Sequence, residues 1–276
     1  MINLAAGRWA GFGIAGNFAG HLEQAGEVRD FATLKKTGAG PKGMFPFHLS
    51  IEGHFLAVDP VSSSAMVLPE GAQVQGEPEV ALACELHYTA GNVVRVKPLA
   101  FAAFDDASIR REGAPKISVK KNWGPDSKGL SSRWIKLANG LDSGSGLDSW
   151  RIASFLGRDG GWNAYGIDSP VAGYTLYGPD LIAWIEEKLT AQADEGPLEN
   201  LPLLLSKAGR PEHAVIAIGA TRYTTLGETT YFQPGDSFAV AVYDPERIDS
   251  TLLPELCSRS ESVDGLSLLV RKAHRI

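Results

Sequence analysis

Two glutamates, Glu77 and Glu79, precede the apolar run Val80-Ala81-Leu82-Ala83-Cys84-Glu85-Leu86. Successive strand side chains point to opposite faces. A strand here puts Val80, Leu82, Cys84 and Leu86 on one face and Glu77, Glu79, Ala81, Ala83 and Glu85 on the other. Like charges side by side on a strand repel unless water or a cation separates them. A hard divalent cation takes several carboxylate oxygens, so this pair is a candidate cation site; its plainer reading is a solvated strand start. A third acid follows the apolar run 99–104, in Asp105-Asp106-Ala107-Ser108-Ile109-Arg110-Arg111. An acid ending a buried strand, with Ser and Arg beyond it, suits ligand binding, and it also suits an ordinary polar turn.

The N-terminal segment contains Gly11, Gly13 and Gly16 in a literal G-x-G-x-x-G, followed by Asn17-Phe18-Ala19-Gly20-His21-Leu22-Glu23. A dinucleotide site needs a strand ending at the first glycine, then a helix and a parallel strand. Residues 7–10 read as a poor strand, and the next 25 or so residues show no second one. The expectation is a turn and strand edge leading into a short helix with His21, not a phosphate cradle. An imidazole with a carboxylate beside it, here His21 and Glu23, can orient a water for general-base work.

The elements that must position these groups are mostly strands. Residues 237–243 and 150–156 alternate, 214–220 is a continuous apolar run, and 93–96 and 266–270 read as further strands. The best helix is 179–189, with Leu181, Ile182, Ile185 and Leu189 on one face; a shorter one at 17–24 could be capped by Asn17. The Ser- and Gly-rich stretch 127–146 reads as loop, and 190–202 as an acidic, polar connection. The pattern is a β-rich α+β fold, with residues 1–70 as a small N-terminal region and 71–276 as the main domain.

The 276 residues are 44% hydrophobic and 21% charged, which excludes wholesale disorder. A net charge of -6 gives no footprint for nucleic acid. No apolar run is long enough for a membrane span, and Met1-Ile2-Asn3 opens without a basic n-region, so no secretory signal and a cytoplasmic location are expected. Two cysteines, Cys84 and Cys257, are too few for a disulfide framework or a Cys-rich zinc site. No Gly-x-Ser-x-Gly supports serine hydrolysis, and the remaining histidines are scattered.

In joint order these pieces resemble the fumarylacetoacetate hydrolase superfamily, including its acylpyruvase and oxaloacetate decarboxylase members. The matching residues are Gly16-Asn17-Phe18-Ala19-Gly20-His21, then Glu77-Pro78-Glu79-Val80-Ala81-Leu82, then Asp106-Ala107-Ser108-Ile109-Arg110. A lysine follows, best matched by Lys128, with Lys120 and Lys121 as alternatives. Near the end, Ile218-Gly219-Ala220-Thr221 and Pro234-Gly235-Asp236-Ser237-Phe238 match the late strand turns. The family's acid after the motif histidine stands where this chain has Gln24.

The resemblance implies a mixed β-roll or barrel-like fold with few helices, assembled as a homodimer. It implies Mg²⁺, or Mn²⁺ or Ca²⁺, on Glu77, Glu79 and Asp106. It makes His21, Glu23 and Lys128 catalytic, and places Arg110, Gly219 and Thr221 around a small oxo-acid substrate. Arg110 either binds a substrate carboxylate or braces the carboxylate shell. The implied reaction is hydrolytic C–C cleavage of a 2-oxo or 1,3-diketo acid through an enolate. Decarboxylation, hydration and isomerisation use the same kind of centre. A non-catalytic binding protein on this fold, and an NAD-dependent oxidoreductase resting on the glycines, are the readings from other classes.

Overall fold

The computed structural model describes residues 8–31, 34, 40–111, 113–141, 144 and 146–275. In chain order the strands are β1 (Trp9–Ala15), β2 (Gly43–Leu49), β3 (Val61–Ser62), β4 (Ala65–Leu68), β5 (Val74–Gln75), β6 (Pro78–Thr89), β7 (Asn92–Asp105) and β8 (Ser108–Ile109). They continue with β9 (Lys128–Leu130), β10 (Ile135–Lys136), β11 (Arg151–Arg158), β12 (Gly161–Pro170), β13 (His213–Ala217), β14 (Ser237–Tyr243) and β15 (Leu266–Arg275). The α-helices are α1 (His21–Gln24), α2 (Ser118–Lys121), α3 (Gly178–Ala191), α4 (Leu201–Lys207), α5 (Thr225–Thr229) and α6 (Leu253–Arg259).

The first sheet runs β2-β1-β13-β6-β7-β9-β3, with β10 also on β7; the second runs β12-β11-β14-β15-β4; β5 and β8 form a small third. Both large sheets are mixed, since β1–β13, β3–β9 and β15–β4 are parallel and their other pairs antiparallel. The main core draws on both: Leu82, Phe101 and Ile216 from the first, Ile152, Val240 and Leu269 from the second. Val80, Leu82, Cys84 and Leu86 all lie in it, as their alternation requires. This is the β-rich α+β architecture read from the sequence. The strands at 1–70 do not stand apart: β1 and β2 are hydrogen-bonded into the sheet that contains β6 and β7.

The glycine motif is divided: Gly16, with φ of 76°, makes the expected turn before the short helix at His21, whereas Gly11 and Gly13 stand inside a central strand and not at a strand edge. Gly11 and Gly13 lie within β1, which is flanked on both sides by β2 and β13. A Cβ at Gly11 would sit 2.2 Å from the Phe47 ring, and one at Gly13 would sit 2.3 Å from the Phe45 ring. The glycines therefore make room for aromatic rings on β2. The next strand, β2, is antiparallel to β1, so no βαβ unit forms here. Helix α1 is also shorter than the span 17–24: it starts at His21 behind Gly20, and Asn17 does not cap it. The stretch 127–146, read as loop, contains β9 and β10; residues 142, 143 and 145 lie outside the described residues. Between α3 and β13 the polar connection is followed by α4, whose cap is Asn200 accepting from the Leu203 amide.

Glu199, on that connection, accepts a hydrogen bond from the Ser118 hydroxyl on α2 and is buried. Burial pushes its pKa up to about 7. A carboxyl with a raised folded pKa holds a proton that the unfolded chain has lost, so it costs stability as pH climbs from about 4.5 to about 7. A Glu199→Gln variant is expected to lack this slope and to exceed the parent's stability at pH 8 by on the order of 3 kcal/mol. Urea denaturation of both proteins at pH 5 and pH 8 checks it; an equal difference at the two pH values contradicts it.

Candidate metal centre

Strand register assembles the three acids. Thr89 and Asn92 pair across a two-residue turn in which Ala90 and Gly91 have φ of 51° and 85°, the mirror-image turn that closes tight hairpins. Two register shifts follow, at Ala83/Cys84 and His87/Tyr88, and at the far end Pro78 pairs with Asp105. One step further, the Asp106 amide donates to the Glu77 carbonyl at 2.9 Å. Glu79 comes two residues along, on the Glu77 side. All three carboxyls are buried, and one oxygen of each lies within 4.8 Å of the others. Oxygens bound to one cation at about 2.0–2.6 Å can be no more than about 5 Å apart, so this donor set fits a single hard divalent ion.

Three cations press on the acids from other elements. Lys128 on β9 places Nζ 2.8 Å from Asp106 Oδ1 and donates to the Ala107 carbonyl at 2.6 Å. Lys121 on α2 reaches Glu77 Oε2 at 2.7 Å and Asp106 Oδ2 at 2.6 Å. Lys120 points away, to Glu27 and Asp30 at 2.8 and 2.6 Å. Arg110 is spent on the shell: it donates from Nε to Gln75 at 2.7 Å, and from its two terminal nitrogens to Glu27 and the Tyr223 hydroxyl at 2.8 and 2.9 Å. It also pairs with Glu77 at 2.8 Å. Of the two roles weighed for Arg110, these bonds are those of a brace.

The carboxyls part in acidity. Burial alone would raise Glu77, but Lys121 and Arg110 overcome it and hold the group well below the usual carboxylate range. Burial raises Glu79 well above that range, and Asp106 beside it adds to the shift. Glu79 therefore holds a proton to higher pH than an ordinary carboxylate, and a cation that binds where the proton is present must displace it. The apparent metal affinity is expected to rise with pH until Glu79 is ionised in the free protein, with about one proton released per ion bound below that point. Calorimetry in buffers of differing ionisation enthalpy reads the proton count; affinity flat with pH and no proton release would contradict it.

The turn after β13 completes the site. The Gly219 amide donates to Glu79 Oε2 at 2.7 Å, and its carbonyl accepts from the Tyr174 hydroxyl at 2.7 Å. Its φ of +114° favours glycine, and Asn17 pins the turn by donating to the Ile218 carbonyl at 2.8 Å. Thr221 serves His21: Nδ1 lies 2.9 Å from its carbonyl. A carbonyl only accepts, so Nδ1 carries the hydrogen and Nε2 presents a lone pair, 3.9 Å from Glu77 Oε2. Burial lowers the His21 pKa, Glu77 only partly opposing it, so the ring is neutral. Glu23, expected beside His21, is exposed. The buried acid of this segment is Glu27, which Arg110 and Lys120 hold in place. Sequence spacing carried no signal for Glu27, Gln75 or Tyr223, which reach the site through long-range contacts with Arg110. The cavity among these side chains is about 10 Å³, room for roughly one water.

Known proteins share this fold. A family model described as a family of unknown function (DUF5718) matches residues 27–273. No curated protein matches the chain. Among solved structures, Cg1458 with inhibitor is similar at 18% identity and a TM-score of 0.56, covering 97% of this chain and 77% of that one. The 2-keto-3-deoxy-D-arabinonate dehydratase complexed with magnesium and 2,5-dioxopentanoate is similar at 10% identity and a TM-score of 0.55, covering 98% and 74%. The 5-carboxymethyl-2-hydroxymuconate delta-isomerase from Mycobacterium smegmatis is similar at 14% identity and a TM-score of 0.52, covering 97% and 79%. The fold is that of the fumarylacetoacetate hydrolase superfamily.

Proposed function

We propose that this chain, which belongs to the DUF5718 family, is a divalent-metal-dependent enzyme that cleaves a C–C bond in a small 2-oxo or 1,3-diketo acid through an enolate. The observation that carries the reading is the buried Glu77, Glu79 and Asp106 set, with one oxygen of each within 4.8 Å of the others. The magnesium and dioxo acid of the arabinonate dehydratase complex support the same class of ion and ligand here. A bound Mg²⁺, Mn²⁺ or Ca²⁺ would supply Lewis acidity toward the oxo acid.

The chain's own groups do the rest. Lys121 and Lys128 place fixed positive charge beside Asp106, where a substrate developing negative charge is stabilised most in a dry site. Neutral His21, oriented by the Thr221 carbonyl, offers Nε2 as the proton acceptor. Arg110 and Glu27 hold the shell rigid around them. Decarboxylation, hydration or isomerisation would use the same groups. The 10 Å³ cavity favours one other reading, a metal-retaining protein without turnover.

The test is metal analysis of the purified protein, with assays of acylpyruvates, fumarylpyruvate-like compounds and oxaloacetate in Mg²⁺ and in EDTA. Metal-dependent cleavage is expected. Turnover that survives complete chelation overturns the proposal, and bound metal with no turnover of any oxo acid favours the non-catalytic reading.

A further inference from the structure

The substrate class can be narrowed from the charges and walls of the same site, an inference that rests on the reading above. With Glu79 deprotonated by the incoming ion, Glu27, Glu77, Glu79 and Asp106 bring four negative charges, and Arg110, Lys121 and Lys128 bring three positive ones. Lys120 and Asp30 cancel each other, and His21 Nε2 makes no hydrogen bond to any of the acids. A divalent ion turns the resulting net charge of about −1 into about +1. A monoanionic ligand then brings the enclosed site to neutrality, whereas a dianion leaves a buried excess of negative charge, which is costly where water is excluded.

A second carboxylate would also find no cation to receive it. Arg110 is saturated by Gln75, Glu27, Tyr223 and Glu77. Lys121 is held by Glu77 and Asp106, and Lys128 by Asp106 and the Ala107 carbonyl. The remaining walls of the cavity are apolar: Ile14, Leu22, Phe45 and Ile117, each buried. A carboxylate pressed against them would lose its hydration without a hydrogen bond in return. A short alkyl tail would gain from the same residues once they part to admit it, since the space between them now holds about one water.

We propose that the substrate is a compact 2,4-dioxo monocarboxylate, in which water adds to the second oxo carbon as the C–C bond to the enolate breaks, that its tail beyond that carbon is short and apolar, and that the site discriminates against dicarboxylates. Half-buried Lys42 stands at the Gly16 corner of the cavity, its Cγ 3.4 Å from where a Gly16 Cβ would lie. It is the residue to remove when asking whether a rim cation rescues a diacid.

The test uses the full chain loaded with Mg²⁺ and a matched pair of five-carbon acids, 2-oxopentanoate and 2-oxoglutarate, which differ only in the far end. Calorimetry first measures Mg²⁺ alone, then each acid. The monoacid is expected to bind at least tenfold more tightly, in the parent and in Lys42→Ala alike. Equal or tighter binding of 2-oxoglutarate overturns the inference, and loss of that binding in Lys42→Ala would identify the cation responsible. If neither acid binds while Mg²⁺ does, the substrate inference falls and the metal centre stands; if Mg²⁺ does not bind either, both fall.

Discussion

Replacing Asp106 with Ala is expected to remove divalent-metal binding and to destabilise the protein by about 3–5 kcal/mol, because two buried ammonium groups lose the carboxylate they share. Lys121 would retain Glu77, at 2.7 Å. Lys128 is fully buried and would retain only the Ala107 carbonyl. Burial already lowers the Lys128 pKa to about 8 with Asp106 in place to oppose it. Below about pH 8 the parent carries this lysine charged in both the folded and unfolded states. At higher pH the folded protein sheds the proton first, and stability rises relative to the charged limit. Without Asp106 that rise begins at lower pH, so the variant's deficit should be larger at pH 6.5 than at pH 9. Urea denaturation at those two pH values, with Mg²⁺ titration of the folded variant by calorimetry, measures both effects. Asp106→Asn keeps the volume and serves if the alanine variant fails to fold. A variant that binds Mg²⁺ like the parent and loses less than about 1 kcal/mol would show that Asp106 neither ligates the ion nor anchors the lysines.

A loss of similar size, about 3–5 kcal/mol, is expected for Arg271→Met. Arg271 belongs to β15 in the second sheet and is fully buried, and its guanidinium pairs with Asp105 at the end of β7 in the first. It also donates to the backbone carbonyls of Ala65 and Asp126. Asp105 uses its other oxygen to accept the Glu77 amide at 3.0 Å, so the pair fastens the second sheet to the start of the acid-bearing strand. Burial raises the Asp105 pKa even against Arg271, and burial lowers that of Arg271 even against Asp105. Desolvation thus outweighs attraction, the regime in which breaking one partner is costly and replacing both is not. The double variant Arg271→Met, Asp105→Asn should therefore recover much of the loss. Chemical denaturation of the two single variants and the double one gives the coupling directly. Additive losses would mean that the pair is not coupled and that the cost lies in packing.

The acid-bearing strand was legible because its two faces are set by a period of two that any strand obeys. Val80, Leu82, Cys84 and Leu86 went to the core, which left Glu77 and Glu79 on the other side. The apolar runs at β13 and β14 and the amphipathic face of α3 were legible for the same reason, since local alternation and helical spacing need no partner to be read. The choice among Lys120, Lys121 and Lys128 was not legible. Adjacent residues on the four-residue helix α2 diverge, Lys121 toward Glu77 and Lys120 toward Glu27, while Lys128 arrives from a separate strand. The replacement of Glu23 by Glu27 was hidden too, because the partners that bury Glu27, Arg110 and Lys120, lie more than eighty residues away.

The joining of Glu77 to Asp106 shows where the sequence stops. From the Ala90-Gly91 turn, a ladder without interruption would put Phe104 opposite Glu77; the two register shifts between β6 and β7 bring Asp106 there instead. Each shift adds one residue to β7, and together they move the register by two. A slip of two leaves every side chain on the face it already had, so the hydrophobic pattern is satisfied equally with Phe104 or Asp106 in that place. The sequence by itself determined which residues face the site. Only the tertiary structure, through those two bulges and the buried Asp105–Arg271 pair beside them, decided that three carboxylates meet there.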